Sequence, residues 1–368
     1  MRIGIQIVGT RPQEMVPLAR AAERAGLDSA FFPTGGFYIG AMRVIDATER
    51  IRVGTGIIPM FQGTPYLHAS TAIALQEMSG GRFVLGLGSQ TKGQVRRMAG
   101  VDLPRPAARA RDMIRAIRAL MTEGRYEGEF YSADPPGGFS LRARHRAVPA
   151  PPIHFSGVNR LNLRVAGEVA DGLVGHPIYS VRWMEEVVLP EVARGLERAG
   201  RRRREFELCA MPMVWVVGDG ATREEGYRRA KRNLANYYST RAYGGFMELH
   251  GWSRERDAIR GGWERAQASR TPIDGSEMEA IVSDAMAEEV CLIGTPAELR
   301  AMARERFQGR ADTLLLYPLH DSYAAPEERE RRTRESEEDL YRAIDAFAPL
   351  AAGGAGGAGG AGGAGGAG

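Results

Sequence analysis

Residues 81–94, GRFVLGLGSQTKGQ, form the stretch whose reading decides the fold. A Gly-Gly turn leads into Phe83-Val84-Leu85, and Leu87 stands between Gly86 and Gly88. An apolar run without polar alternation predicts a short strand covered on both faces, as in a parallel sheet. The run stops at Gly88-Ser89 and turns polar. Bare amides and a hydroxyl are thereby delivered to the sheet edge where α/β proteins place their ligands.

The same alternation extends in both directions. Apolar, β-branched runs predict strands at residues 2–7, 28–32, 51–58, 153–156, 171–175, 206–217 and 312–317. Helical spacing between them predicts helices at 12–25, 39–48, 67–78, 107–121, 159–169, 181–199 and 296–307, with a closing helix at 326–347. Residues 122–152 read as an irregular surface excursion. Residues 222–287 read as a polar, helical insertion interrupted at Gly244-Gly245 and Gly261-Gly262. Eight strands each followed by a helix fit an α/β fold of the TIM type, a (β/α)8 barrel. An open doubly wound sheet is the alternative. The expected domain covers residues 1–350, and the Gly-Ala repeat of 351–368 is expected to be a disordered tail.

Composition narrows the function. The chain has 368 residues, 43% of them hydrophobic, which is enough for a full core. No apolar run approaches the roughly 20 residues that span a bilayer, and Arg2-Ile3-Gly4 enters a strand pattern at once. A cytoplasmic protein without a membrane partner is therefore expected. Cys209 and Cys291 suggest neither a disulfide framework nor a metal cluster. The net charge of +4 is spread along the chain. Its one basic cluster, residues 201–204, lacks interleaved aromatics and reads as a solvated loop rather than a nucleic-acid patch.

Four segments carry a family likeness: ATERIRVGT at 47–55, LQEMSGGRF at 75–83 running on to Gly88-Ser89-Gln90, AGEVADG at 166–172, and IGTP at 293–296. With these motifs in this order the chain resembles the bacterial-luciferase-like superfamily of flavin- and deazaflavin-dependent oxidoreductases. Within it, the chain is similar to the branch that uses coenzyme F420. The resemblance implies a tricyclic ring lying across the C-terminal mouth of the barrel, backed by a bulge with a non-prolyl cis peptide at Gly56 and Ile57. It also implies a cofactor phosphate held by Ser156, Gly157, Val158 and Asn159. A glycine there lets the backbone approach, and the amides of the following helix point at the anion. Ser89 and Gln90 are expected at the ring edge or ribityl chain. Lys92, with Arg96 and Arg97, is expected near the acidic tail of the deazaflavin.

Hydride transfer needs aligned donor and acceptor plus one proton donor. Many deazaflavin-dependent members resembling this chain carry an acid followed by histidine after strand two. Here the sequence reads Pro33-Thr34-Gly35-Gly36, so that acid is missing. His176, directly after strand six, is the expected catalytic substitute, because it would face the mouth and titrates near neutrality. His320 would also lie near the mouth. His68 and His154 read as packing or capping residues, and His145 and His250 carry little information. The expectation is a homodimeric enzyme moving a hydride between F420 and a small organic substrate. The alternatives are an FMN-dependent monooxygenase on the same barrel and a catalytically silent cofactor-binding paralogue.

Overall fold

The computed structural model describes residues 1–8, 11–33, 38–141, 148–319 and 328–355. Eight parallel strands close into a barrel: β1 (Arg2–Gln6), β2 (Ser29–Phe32), β3 (Arg52–Thr55), β4 (Phe83–Gly88), β5 (Ile153–Ser156), β6 (Gly172–Val174), β7 (Glu207–Ala210) and β10 (Thr313–Pro318). Closure is made by β1 lying on β10, with Arg2 opposite Thr313 and Ile5 opposite Leu316. The strands read as unbroken apolar runs because each is covered twice, by the barrel interior and by the helical shell. All six residues of β4 are buried, as its composition requires.

The shell helices follow the periodicity of the chain: α1 (Met15–Arg24), α2 (Tyr38–Ala47), α3 (Pro65–Met78), α5 (Pro106–Thr122), α6 (Arg160–Val169), α8 (Leu189–Arg198), α14 (Pro296–Phe307) and α15 (Arg329–Ala355). α3 starts where the chain dictates, with Thr64 accepting the Leu67 amide and Pro65 at the first helical position. No helix among the described residues is long and apolar enough to cross a membrane.

The structure departs from the sequence reading in five places. Residues 206–217 form two strands, because the chain turns at Met211-Pro212 and β8 (Met213–Val216) leaves the barrel. β8 pairs with the far end of β10, Met213 opposite Tyr317, while β7 holds its near end. A further strand, β9 (Cys291–Gly294), pairs with β8 just beyond the expected insertion, in a stretch where no strand was expected. A short helix, α4 (Lys92–Ala99), follows β4. Its start is a reciprocal cap between Thr91 and Gln94, a Thr-x-x-Gln signature legible in the chain. The expected helix 181–199 is α7 (Val181–Trp183) and α8 joined by a wide π-type segment, Met184–Val188. Pro190 removes the amide that would have bonded one turn back. α15 runs to Ala355, so the Gly-Ala segment begins inside a helix, and its remainder, 356–368, lies outside the described residues.

Between β8 and β9 the chain forms α9 (Arg223–Tyr238), α10 (Gly244–Leu249), α11 (Ser253–Ser269), α12 (Gly275–Ile281) and α13 (Asp284–Val290). Both cysteines are free and buried.

At the N-terminal end of the barrel the strand starts place charges together. The Glu207 carboxylate receives Arg52 through two bonds, of 3.1 and 2.8 Å. It also receives Arg2 at 2.8 Å and the Thr313 hydroxyl at 2.6 Å. His154 lies 3.6 Å from it, fully buried. The ligand-type atoms of His154, Glu207 and Cys209 lie within 4.8 Å of one another. The carboxylate is already occupied by two guanidinium groups, so the cluster reads as an ion-paired floor. Arginine contacts pull the Glu207 carboxyl down to about 2 although burial opposes this, and burial pushes His154 down to about 4.

Both groups have folded values below their ordinary ones of 4.5 and 6.5. Their stabilising effect is therefore complete above those ordinary values and is lost as pH falls through the folded ones. The melting temperature should decline as pH drops from 7 toward 4. Glu207→Gln should lower stability at pH 7 by about 3 kcal/mol, since it leaves the part-buried Arg52 with Asp28 alone, and should remove the further decline that the parent shows between about pH 4.5 and about pH 2. Thermal denaturation followed by circular dichroism checks both.

Candidate active site

The carboxyl ends of the strands surround a cavity of about 390 Å³, within the usual range for small-molecule sites. It is lined from β1, β4, β5 and β6, from the turn after β3, and from the first part of the α9–α13 segment. Gly56, Ser89 and Gly157, which lie far apart in the chain, face one hollow.

After Thr55 the chain jogs through Gly56 and Ile57, joined by a cis peptide bond, and rejoins β4 with Ile58 opposite Leu87. A Cβ at Gly56 would meet the Gln6 amide at 2.6 and 2.9 Å, so any larger residue there would displace the Gln6 side chain. The Gln6 Nε2 donates to the Gly56 carbonyl. Its Oε1 is left buried without a protein partner.

At the end of β4, Ser89 is buried and its Oγ accepts a hydrogen bond from Asn162 Nδ2 at 3.0 Å. The serine proton is thereby available to the cavity. Asn162 Oδ1 is a second buried acceptor without a partner. Gln90 adopts a left-handed backbone, φ 57°. On the neighbouring strand, Ser156, Gly157, Val158 and Asn159 all line the cavity. Asn159 caps α6 by accepting the Asn162 amide at 3.0 Å. A Cβ on Gly157 would come within 2.6 Å of the Asn162 Cβ, and the Tyr179 hydroxyl donates to the Gly157 carbonyl. The loop is thus held close against the start of α6. Two orphaned acceptors call for ligand N–H or O–H donors, and the Ser89 proton calls for a ligand acceptor.

His176 projects toward the cavity after β6. Its Nε2 lies 2.9 Å from the Tyr243 hydroxyl, and its Nδ1 faces the Ile178 amide at 3.4 Å. The rings of Tyr237 and Tyr243 stand 5.1 and 4.7 Å from it. Desolvation pushes His176 down to about 3, so the imidazole is neutral at pH 7 rather than poised to titrate there. No charged side chain lines the cavity among the described residues.

The other expected residues lie elsewhere. Lys92 opens α4, exposed, between the lining residues Thr91 and Gln94. Arg96 points away and pairs with Asp102 at 2.9 Å, and Arg97 is exposed on the same helix. His68 is a packing residue, bonded to Tyr38 at 2.8 Å and to the Met60 carbonyl at 3.2 Å. His250 bonds Ser180 at 2.8 Å, behind the cavity wall. Thr34, Gly35, Gly36, His145 and His320 lie outside the described residues.

Sequence reasoning missed Gln6, Asn162, Tyr179, Tyr237, Tyr243 and Tyr317. Gln6 left a trace, a polar residue ending an otherwise apolar strand. The tyrosines left none, because a loop, a helix, a 3₁₀ turn and a strand deliver them from separate parts of the chain.

Residues 2–313 match the family model described as luciferase-like monooxygenase. The chain is 28% identical over 327 residues to an uncharacterised protein of Mycobacterium tuberculosis, covering 84% of this chain and 92% of the relative. It is 29% identical over 249 residues to a putative coenzyme F420-dependent oxidoreductase of the same organism, covering 62% and 70%. Among solved structures it shares its fold with the coenzyme F420-dependent tetrahydromethanopterin reductase of Methanopyrus kandleri. That likeness has a TM-score of 0.71 and 19% identity, over 94% of this chain and 97% of the other. Since the matched span runs from β1 to the first residue of β10, the chain belongs to the luciferase-like monooxygenase family.

Proposed function

We propose that this protein is an oxidoreductase that moves a hydride between coenzyme F420 and a small uncharged organic substrate. The observation that carries the reading is the meeting of the Gly56–Ile57 jog, the Ser89 turn and the Ser156–Asn159 loop on one cavity whose buried acceptors lack partners. A ring edge and a ribityl chain supply the donors those acceptors need. When bound, the deazaflavin provides a two-electron carbon-centred hydride site.

The roles proposed for the residues of the chain rest on the family likeness together with this geometry. Gly56 and Ile57 back the ring, and Gln6 Oε1 accepts from its polar edge. Ser89, Gln90 and Asn162 meet the ribityl hydroxyls. Ser156, Gly157, Val158 and Asn159 hold the phosphate, with the N-terminal amides of α6 toward it. Lys92 stands on the rim, where it meets the carboxylates of the tail through solvent-exposed, salt-sensitive contacts. His176, neutral and hydrogen-bonded to Tyr243, forms with it the pair that serves the proton accompanying the hydride. The enclosing tyrosine rings exclude water from that half of the cavity, and the absence of lining charge among the described residues favours an uncharged substrate. The same reading, resting on family resemblance, takes the protein as a cytoplasmic homodimer.

Titrating the purified protein separately with F420 and FMN tests the assignment. Micromolar binding of F420, read from its absorbance, is expected. Micromolar binding of FMN with none of the deazaflavin would instead make this a flavin monooxygenase. Gly56→Val should abolish coenzyme binding while leaving the circular dichroism spectrum unchanged. Asn162→Leu should weaken it about tenfold, the worth of one or two buried hydrogen bonds. Lys92→Glu should weaken F420 binding severalfold at low salt and much less at high salt.

A further inference from the structure

Tyr237, Tyr243 and Tyr317 line the cavity and Tyr179 stands beside His176, and the hydroxyl protons of Tyr179, Tyr237 and Tyr243 are not equivalent. Tyr237 donates its proton to the Tyr317 oxygen at 3.2 Å, and Tyr179 donates to the Gly157 carbonyl. Tyr243 differs because of the histidine beside it. The Ile178 amide points at His176 Nδ1, 3.4 Å away, so this nitrogen presents a lone pair. A neutral imidazole then carries its proton on Nε2. That N–H reaches the Tyr243 oxygen at 2.9 Å. The opposite arrangement, with Tyr243 donating to Nε2, would set an Nδ1–H against the Ile178 N–H. Tyr243 therefore accepts from His176, and its own O–H is left to the cavity that it lines.

We propose that Tyr243 is the catalytic residue that gives the substrate its proton, and that His176 is a positioning residue that fixes the Tyr243 hydroxyl by donating Nε2–H to its oxygen. This rests on the hydride-transfer reading above. The substrate is a neutral carbonyl compound. As its carbon receives the hydride from the reduced deazaflavin, a C–H bond forms and the C=O π pair moves to oxygen. That oxygen takes the Tyr243 proton, and the electron pair of the broken O–H bond stays as phenolate, facing His176 Nε2–H. Water entering at the mouth restores the phenol. The two-electron oxidation of the deazaflavin balances the two-electron reduction of the carbonyl. Burial supports the assignment by keeping both partners neutral, with Tyr243 pushed up to about 12 and His176 down to about 3. An alkoxide is basic enough to take a proton from such a phenol.

Two measurements on the full chain test this. The first needs no substrate: long-range proton–nitrogen spectra of 15N-histidine-labelled protein, with His176 assigned by the loss of its signals in His176→Gln. The expected result is a neutral Nε2–H tautomer unchanged from about pH 5 to about pH 8, its Nε2 resonance shifted in Tyr243→Phe. An Nδ1–H tautomer, or titration near the ordinary histidine value, overturns the proposal. The second follows oxidation of F420H2 by a panel of neutral aldehydes and ketones in single turnovers. Tyr243→Phe should slow the step roughly 100- to 10,000-fold at unchanged coenzyme affinity. His176→Leu should be as slow, and His176→Gln, which keeps an N–H donor, should recover most of the rate. A Tyr243→Phe variant as fast as the parent overturns the proposal. Failure of the parent protein to bind F420 sinks the hydride-transfer reading instead, while the spectra still decide how the Tyr243–His176 pair is arranged.

Discussion

Parallel pairing of β1 with β10 turns a row of eight strands into a ring, and every feature of the site depends on that closure. With Arg2 opposite Thr313 and Ile5 opposite Leu316, all strand carboxyl ends open on one side and all strand starts on the other. Residues from opposite ends of the chain thus face each other across a few ångströms. Parallel strands cannot be joined by tight turns, so each return passes through a helix and each strand end is free to carry a loop. In those loops backbone amides and carbonyls need not be used by the sheet itself.

The two faces divide their labour by charge. At the strand starts, Arg2, Arg52 and Glu207 are locked together with Thr313 and His154, an arrangement whose strength comes from mutual pairing in a part-buried setting. At the strand ends the described lining is uncharged, and polarity is supplied by amides, hydroxyls and phenols. Such a cavity leaves a coenzyme to bring its own charge and redox chemistry. It also keeps the titration of nearby groups out of the neutral range, as His176 and Tyr243 illustrate. In the proposed arrangement the histidine is less a carrier of charge than a fixed hydrogen-bond donor, consistent with its place among aromatic rings.

Most of the sequence motifs turn out to serve the frame rather than the cavity. Arg82 ties the ends of α2 and α3 to β3 through the carbonyls of Ile51, Thr48 and Ser79. The Glu23 carboxylate gathers the amides of Glu49, Arg50 and Ile51. Glu168 is buried between Arg111 and Arg115, and Asp171 accepts the first amide of β5 while pairing with Arg118. Thr295 and Glu298 cap α14 reciprocally. These residues set strand and helix ends to within a hydrogen bond, and that placement is what brings Gly56, Ser89 and Gly157 onto one hollow.

The amino-acid sequence by itself determined the class of fold, the number of barrel strands and the glycine-bearing turns at Gly56, Gly88 and Gly157. These are local properties: apolar runs, helical spacing, and glycines at strand ends, of which the family likeness singled out Gly56 and Gly157. It also marked His176 as a residue at the mouth, because the end of a barrel strand is recognisable from its own run of residues. It did not reveal that residues 206–217 split in two at Pro212, that β9 joins β8, or that Lys92 and Arg96 begin and line a short outer helix. Only the tertiary structure decided which side chains share the cavity with His176. Gln6, Asn162, Tyr237 and Tyr243 come from a strand end, a shell helix and two parts of the α9–α13 segment. Their convergence depends on packing distances between elements remote in the chain. The direction of the His176–Tyr243 hydrogen bond likewise depends on an amide two residues away, and no residue pattern encodes where that amide points.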